Sequence, residues 1–342
     1  MAKKRHQGIH AFPSIYRFFT ADVFTDQLFG GNQLAVFPDA GGLTDAQMLA
    51  IAREFNFSET TFVFPAVWAD HTYKLRIFTP GGEVPFAGHP TVGTAHVLFA
   101  GSVLIAYQEE MPVIFEEGVG PVPVTVRFSP RAFDGGSIAD GEPIFAQLTV
   151  AKLPEMGEPL LPLAALANVL SLSEHDFVGG AWSPQPVSCG LPFMIVPLKT
   201  RDAVRRARVR MDAWEPLLRG KWGSEIMVFT LEPEAPTAAA HEEDDDDDDA
   251  PTPADIRARV FVPGLNVPED PATGSACAAL AGYLAARDPR TDGTLHWSVQ
   301  QGVEMGRPSR LELEVDRVAA RTTAVRVGGS SVLVSEGTMR VA

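Results

Sequence analysis

Two stretches of this chain set ionisable residues in matching surroundings: His89-Pro90-Thr91-Val92-Gly93-Thr94-Ala95 and Asp270-Pro271-Ala272-Thr273-Gly274-Ser275-Ala276. They align without a gap. Each runs ionisable residue, Pro, two short residues, Gly, hydroxyl residue, Ala, and each leads into an apolar run, His96–Ala100 and Cys277–Ala286. Pro suits the first turn of a helix, where its missing N–H is not needed. Gly and small residues there leave backbone donors open to an approaching group. The pair therefore reads as two helix N-termini converging on one site that prefers a negatively charged ligand. The alternative is two ordinary capped helices with Asp270 as an N-cap, and the recurrence of the pattern in both halves weighs against it. A third ionisable residue, Glu59, follows Asn56-Phe57-Ser58 at the mouth of a strand flanked by aromatics. Burial there would lift its carboxyl toward neutrality and make it a proton shuttle, whereas an exposed strand start would leave it solvated. His89 and Asp270, at equivalent places in the two stretches, are expected to face each other across a cleft. The chemistry this allows is acid–base.

Other chemistries lack their residues. Gly30-Gly31-Asn32 has neither the spacing nor the following Lys of a phosphate loop. The eight histidines are scattered with no zinc-helix pair, and no Gly-x-Ser-x-Gly elbow occurs. Cys189 and Cys277 are too few for a disulfide framework and sit at no predicted helix start that would activate a thiol. Their number fits a reducing, cytoplasmic setting. A net charge of −15 argues against nucleic acid as a partner. Eight of those charges lie in the run Glu242–Asp249, so the remainder says little more. That run lacks the spacing and the turn glycine of a calcium loop. No metal and no cofactor is expected. No apolar run reaches the ~18 residues needed to cross a bilayer, so no membrane is expected either.

The elements that must position these residues are strands and a few helices. With 342 residues, 45% of them hydrophobic and 21% charged, the chain is a soluble globular one with room for two domains. Residues 1–13 read as a loosely attached lead. In the first half, strands are expected at Tyr16–Phe24, Thr60–Phe64, Leu75–Phe78, Val103–Tyr107, Val113–Phe115 and Val122–Phe128. Thr44-Asp45-Ala46-Gln47 caps a helix running to about Glu54. A Gly, Asp and Ser-rich stretch after Ser129 marks a domain boundary near 135. The second half, 136–342, repeats the grammar. Helices are expected at Pro162–Leu170, Asp202–Arg210 and Ala213–Leu218, and strands at Phe193–Val196, Ile226–Leu231 and Ile256–Val262, with four more toward the C-terminus. Arg201, Arg205, Arg206 and Arg208 make a basic helix face that reads as solvated. Residues 232–254 can bury nothing and read as a disordered acidic insert. The fold class is α+β: two similar domains, each a curved, mostly antiparallel sheet around a central helix. The C-terminal end could return to the first domain.

At this level of detail the chain resembles a known family. Ser58-Glu59-Thr60-Thr61-Phe62-Val63, Glu83-Val84-Pro85-Phe86-Ala87-Gly88-His89-Pro90-Thr91, Glu269-Asp270-Pro271-Ala272-Thr273-Gly274-Ser275-Ala276 and Gln301-Gly302-Val303-Glu304-Met305-Gly306-Arg307-Pro308-Ser309 look like the phenazine-biosynthesis-type isomerases, the PhzF family. The likeness runs from about residue 15 to the end, apart from the acidic insert. It implies the diaminopimelate-epimerase-like fold, with the site between two domains, and a cofactor-free isomerase that shifts a proton between carbons of a small carboxylate substrate. Glu59 would be its acid/base, His89 and Asp270 would contact substrate and assist the proton relay, and Gly88, Gly274 and Ser275 would supply donors around it. Related epimerases use a thiol pair that is missing here. Gly31-Asn32-Gln33 departs from the family's usual Gly-Asn-Pro, which alters a turn and touches none of these roles. The resemblance also points to a homodimer, which nothing in the residues demands. Two rival readings stay open: a binding or regulatory protein on the same fold, and an amino-acid racemase.

Overall fold

The computed structural model describes residues 14–129, 143–234, 254–265 and 267–342. The N-terminal lead, the boundary expected near 135 and most of the acidic stretch 232–254 lie outside the described residues. The first half runs β1 (Ser14–Val23), β2 (Asn32–Phe37), α1 (Asp45–Phe55), β3 (Glu59–Pro65), β4 (Tyr73–Thr79), β5 (Gly82–Val84), α2 (Gly88–Ala100), β6 (Glu110–Glu117), β7 (Gly120–Phe128) and β8 (Pro143–Thr149). The second opens with β9 (Glu155–Met156), α3 (Leu163–Val169), β10 (Gln185–Ser188), β11 (Pro192–Pro197), α4 (Arg201–Arg206), α5 (Met211–Leu218) and β12 (Glu225–Thr230). It continues with β13 (Ile256–Val262), β14 (Val267–Asp270), α6 (Gly274–Ala285), β15 (Gly293–Gln301), β16 (Ser309–Val318), β17 (Arg321–Gly329) and β18 (Ser331–Val341).

The two halves share one pairing order. From β1 through β2, β3, β4, β6 and β7 to β8 the neighbours pair antiparallel, parallel, antiparallel, parallel, antiparallel, antiparallel. The path from β10 through β11, β12, β13, β15 and β16 to β17 repeats that series. β8 then pairs antiparallel with β17, so the two sheets join along equivalent strands. β18 returns to pair with β1, and β9 pairs with β10. This α+β architecture, with few helices, is the one expected of the sequence.

Each sheet wraps one helix. Every residue of α2 from Gly88 to Phe99 is buried, and so is all of α6 except Ser275. Neither helix has a charged face to offer to solvent, so both lie in a core; α2 buries His89, Thr91, Thr94 and His96 along with its apolar residues. Both helices belong to one large cluster with the inward residues of their sheets. α1 instead buries one face, with Met48, Ile51 and Ala52 on the Phe37–Phe62–Phe78 stack. Its start is the expected capping box, Thr44 with Gln47. The helices α3–α5 cover the outer face of the second sheet. No helix among the described residues is long and apolar enough to cross a membrane.

Two local expectations and one alternative reading give way to tertiary contacts. Val103–Tyr107 is a connector, because Ser102 turns left-handed (φ 58°) and the amides of Val103 and Leu104 both bond Leu98 O, at 2.9 and 2.7 Å, closing α2. The helix begun near Asp202 stops at Arg206, where the Arg259 guanidinium takes the carbonyls of Val204, Arg205 and Ala207. Asp270 ends β14 and is no N-cap; Thr273 holds that position in α6. The basic residues Arg205 and Arg206 pair with Asp202 and Asp176.

One glycine is required by close approach. Gly31, at φ +57°, passes so near β1 that a Cβ would lie 2.3 Å from Val23 O, whereas Gly42, at φ +88°, would meet nothing nearer than Tyr16 Oη at 3.4 Å. Gly42→Ala should therefore cost about 1 kcal/mol for the left-handed backbone alone. Gly31→Ala should cost roughly 2–4 kcal/mol, because the backbone must also move. Denaturant unfolding checks this; equal costs would mean that crowding at Gly31 is unimportant.

Candidate active site

The two helix starts meet. Gly88 is the first residue of α2 and Gly274 the first of α6. A Cβ on Gly88 would stand 3.1 Å from Gly274 Cα and 3.4 Å from Ser275 N, and one on Gly274 would stand 3.3 Å from Gly88 Cα. Neither helix has a side-chain cap bond. Their first-turn amides, which no intrahelical carbonyl can reach, are thus available to an anion. The helix starts also correct the sequence alignment. Gly88 is the counterpart of Gly274, so His89 matches Ser275, the second residue of α6, and not Asp270.

His89 and Asp270 nevertheless come together, through a residue that sequence reasoning passed over. Asn32, 1% exposed at the start of β2, donates from Nδ2 to Asp270 Oδ1 (2.9 Å) and to Ala272 O (2.9 Å), and the same nitrogen lies 3.4 Å from His89 Nδ1. Asp270 also accepts from Thr273 Oγ1 at 2.5 Å and from Ser58 Oγ at 3.5 Å. Gln301, fully buried at the end of β15, fixes the same turn from behind: its Nε2 donates to Asp270 O (2.7 Å) and Thr273 Oγ1 (3.1 Å), and its Oε1 accepts from Thr273 N (3.3 Å). The signal for Asn32 was the Gly30-Gly31 pair before a buried strand; that for Gln301 was the motif it opens.

Glu59 begins β3, and its Oε2 lies 3.5 Å from His89 Nε2. Neither atom has a hydrogen-bond partner, although both are shielded from water. Burial first, then the charge of Asp270, pushes Glu59 up to about 8. Burial pushes the His89 imidazole down to about 3, against a hydrogen bond to the Gln33 backbone, which works the other way. At neutral pH a protonated Glu59 therefore faces a neutral imidazole, which is no ion pair. Burial also raises Asp270, to about 6; bonds from Thr273, Asn32 and Ser58 limit the rise, and the Glu269 charge adds to it. Two carboxyl groups are thus held in different protonation states by their surroundings: Asp270 has three donors, Glu59 none. Such a site can hold a proton on Glu59 and pass it to a bound carbon or heteroatom. Its thiols are unsuited to that task, since burial raises Cys189 to about 12 and Cys277 still further. Among the described residues no group of three or more His, Cys, Asp and Glu side chains is placed to hold a metal.

A third raised carboxyl, Glu117 at the end of β6, lies against Thr91 of α2. The Thr91 hydroxyl, with a single proton, sits 2.9 Å from Ala87 O and 2.7 Å from Glu117 Oε1. Both contacts are hydrogen bonds if Glu117 is protonated, in keeping with the burial that pushes it up to about 8. This gives an internal control. In Asp270→Asn the repulsion on Glu59 is gone, ionisation becomes easier, and its titration midpoint should move down from about 8 while that of Glu117 stays. Carbon-13 NMR of carboxyl-labelled glutamates, with Glu59 assigned through Glu59→Gln, reads both. An unmoved or rising Glu59 midpoint contradicts the coupling.

Known proteins agree with this frame. The family model described as phenazine biosynthesis-like protein matches residues 21–337. A protein of Mesorhizobium japonicum named an uncharacterized isomerase is 36% identical over 319 residues, 92% of this chain and 96% of that one. A trans-2,3-dihydro-3-hydroxyanthranilate isomerase of Pseudomonas aeruginosa is 29% identical over 324 residues, 94% of this chain and 99% of that one. The crystal structure of a Bacillus anthracis phenazine biosynthesis protein of the PhzF family superposes with a TM-score of 0.78 at 24% identity, covering 96% of this chain and 100% of that one. A hydroxyproline epimerase from Agrobacterium vitis shares the fold, with a TM-score of 0.57 at 12% identity over 96% of this chain and 92% of that one. With the motifs, the paired half-sheets and the convergent helix starts, these matches place the chain in the phenazine biosynthesis-like (PhzF) family, and it is an isomerase.

Proposed function

We propose that this isomerase moves a proton between two carbons of a small cyclic amino- or hydroxy-carboxylate, with Glu59 as the acid/base and without a cofactor. The observation that carries the reading is the unpartnered Glu59 Oε2, 3.5 Å from His89 and beside the ionised, triply hydrogen-bonded Asp270. Substrate carboxylate is held by the first-turn amides of α2 and α6, at Gly88, Gly274 and Ser275, where helix dipole and open donors both favour negative charge. Glu59 in its ionised form takes a proton from a carbon activated by the neighbouring unsaturated or carboxylated system. It then returns that proton to another carbon on the same face of the ring. His89 and Asp270 orient the amino or hydroxyl groups, and the same amides stabilise the charge that develops during transfer. The named relatives that act on trans-2,3-dihydro-3-hydroxyanthranilate support this substrate class. The raised thiols of Cys189 and Cys277 weigh against a cysteine-based racemase.

Because Glu59 must lose its proton to act as a base, kcat/KM should rise with pH until the pH passes about 8 and then level off. Incubation in D₂O with trans-2,3-dihydro-3-hydroxyanthranilate and a panel of cyclic amino-hydroxy acids, followed by mass spectrometry, should show deuterium entering carbon. Glu59→Gln should lose roughly 10²–10⁴-fold of that rate with its thermal unfolding intact. Near-normal incorporation in Glu59→Gln would remove Glu59 from the mechanism. Binding without incorporation by the wild type would favour a binding protein on this fold.

A further inference from the structure

The halves repeat one another in their strands, but two loops are each longer than their counterpart, and those two loops touch. Between β15 and β16 the chain makes an arm, Gly302–Pro308, where the corresponding β6–β7 turn is only Gly118-Val119. Between β1 and β2 it makes a loop, Phe24–Gly31, where the β10–β11 turn is only Cys189–Leu191. The arm comes from the second half and the loop from the first. Arg307 joins them. Its guanidinium pairs with Asp22 Oδ1 (2.5 Å), donates from Nε to Gly31 O (2.8 Å) and also donates to Gly30 O. Asp22 is buried on β1, and its other oxygen accepts from Phe29 N at 2.7 Å. Gly31 N in turn donates to Pro308 O at 3.0 Å. The loop so held ends at Asn32, the residue that bonds Asp270.

The arm is also tied to Asp270 from the other side. Gly302, left-handed at φ 75°, passes within van der Waals limits of Pro271, so that a Cβ would fall 2.6 Å from Pro271 O and 2.3 Å from Arg307 O. Arg307 N closes the arm on Gly302 O at 3.0 Å. Gln301, immediately before it, holds Asp270 O and Thr273. One short arm therefore touches both segments whose relative placement sets the Asn32–Asp270 bond.

We propose that Arg307 is a positioning residue: its guanidinium locks the Gly30–Gly31 loop of one half to the arm of the other and so aims the Asn32 amide at Asp270 and His89. A guanidinium suits this because its donors form a rigid fork that can serve a carboxylate and two carbonyls together; a lysine ammonium is a point charge on a flexible stem. Asp270 is the group that reports the lock. Ionisable groups facing it are Glu59 from β3, His89 from α2, Cys277 from α6 and Glu269 from its own strand, and its donors are Asn32, Thr273 and Ser58. Loosening the lock weakens one donor, Asn32, and leaves the other groups in place.

The test uses Arg307→Lys and Asp22→Asn, each checked for folding by circular dichroism and thermal unfolding, with carboxyl-labelled aspartate titrated by carbon-13 NMR without substrate. Arg307→Lys should raise the Asp270 midpoint by about half a unit or more, and Asp22→Asn should raise it by less. In an Asn32→Ala background, where the donor is already gone, neither should raise it further. An unchanged midpoint in folded Arg307→Lys, or a rise that persists without Asn32, overturns the proposal. If Arg307→Lys does not fold, Asp22→Asn decides by the same criteria. A second arm rests on the proton-shift reading above: kcat should fall roughly 10–100-fold with KM nearly constant, as for a misaimed catalytic geometry. A substrate class chosen wrongly would silence that arm in the wild type as well and leave the titration to decide. Wild-type turnover in Arg307→Lys would count against the proposal.

Discussion

The start of one central helix rests against the start of the other, backbone to backbone, at Gly88 and Gly274. Everything that can do chemistry here hangs on that contact. Two helix N-termini each carry about half a positive charge, so bringing them together costs electrostatic energy. The structure offsets part of that cost with Asp270, a buried carboxyl kept ionised by Asn32, Thr273 and Ser58. What remains is a concentration of unpaired amide donors, which is an invitation to an anionic ligand. A side chain at either glycine would press on the backbone of the other helix, at 3.1 Å from Gly88 and 3.3 Å from Gly274.

Holding two halves to within tenths of an ångström takes more than a hinge. The β8–β17 seam makes one continuous sheet of them, and β18 crosses back to β1. The strand pairing also shows why the site is not symmetric although the frame is. Equivalent positions in the frame carry unlike residues, with His89 at the second position of α2 and Ser275 at the second of α6. The β1–β2 loop and the β15–β16 arm, each longer than its counterpart in the other half, meet across the interface.

Glu59 and Asp270 show how little the residue type alone decides. Both are carboxyl groups, both are largely buried, and they repel each other. The hydrogen bonds divide them: three donors reach Asp270, and none reaches the buried oxygen of Glu59. A proton therefore resides on Glu59 at neutral pH, beside an imidazole that burial keeps neutral. Proton transfer needs such a pair of unlike environments more than it needs any particular pair of side chains.

The sequence by itself determined the features that depend on neighbours along the chain. The apolar runs His96–Ala100 and Cys277–Ala286 marked a central helix in each half, Thr44 with Gln47 marked the capping box that opens α1, and the paired motifs put a helix start near each run. The residues Glu59, His89, Asp270, Gly88, Gly274 and Ser275 were all legible as candidates. Tertiary structure decided what depends on residues far apart. Counting along the two motifs matched Gly93 with Gly274, but helices begin where the preceding strands β5 and β14 release the chain, and that made Gly88 the partner. The alternative reading of Asp270 as a helix cap fails because α6 begins at Gly274 with Thr273 in that position, and the Asp270 carboxylate is held by Asn32, 238 residues away. Val103–Tyr107 had the composition of a strand, and the amides that would have paired were drawn back to Leu98. Asn32, Gln301 and Arg307 carried no local signal of function beyond the motifs they sit in, since their roles consist of contacts far along the chain: Asn32 and Arg307 reach the other half, and Gln301 reaches Asp270 and Thr273 in its own. Helix burial and capping are short-range energies that composition and spacing encode, whereas the placement of a hydrogen bond across an interface is set only once both sheets have closed.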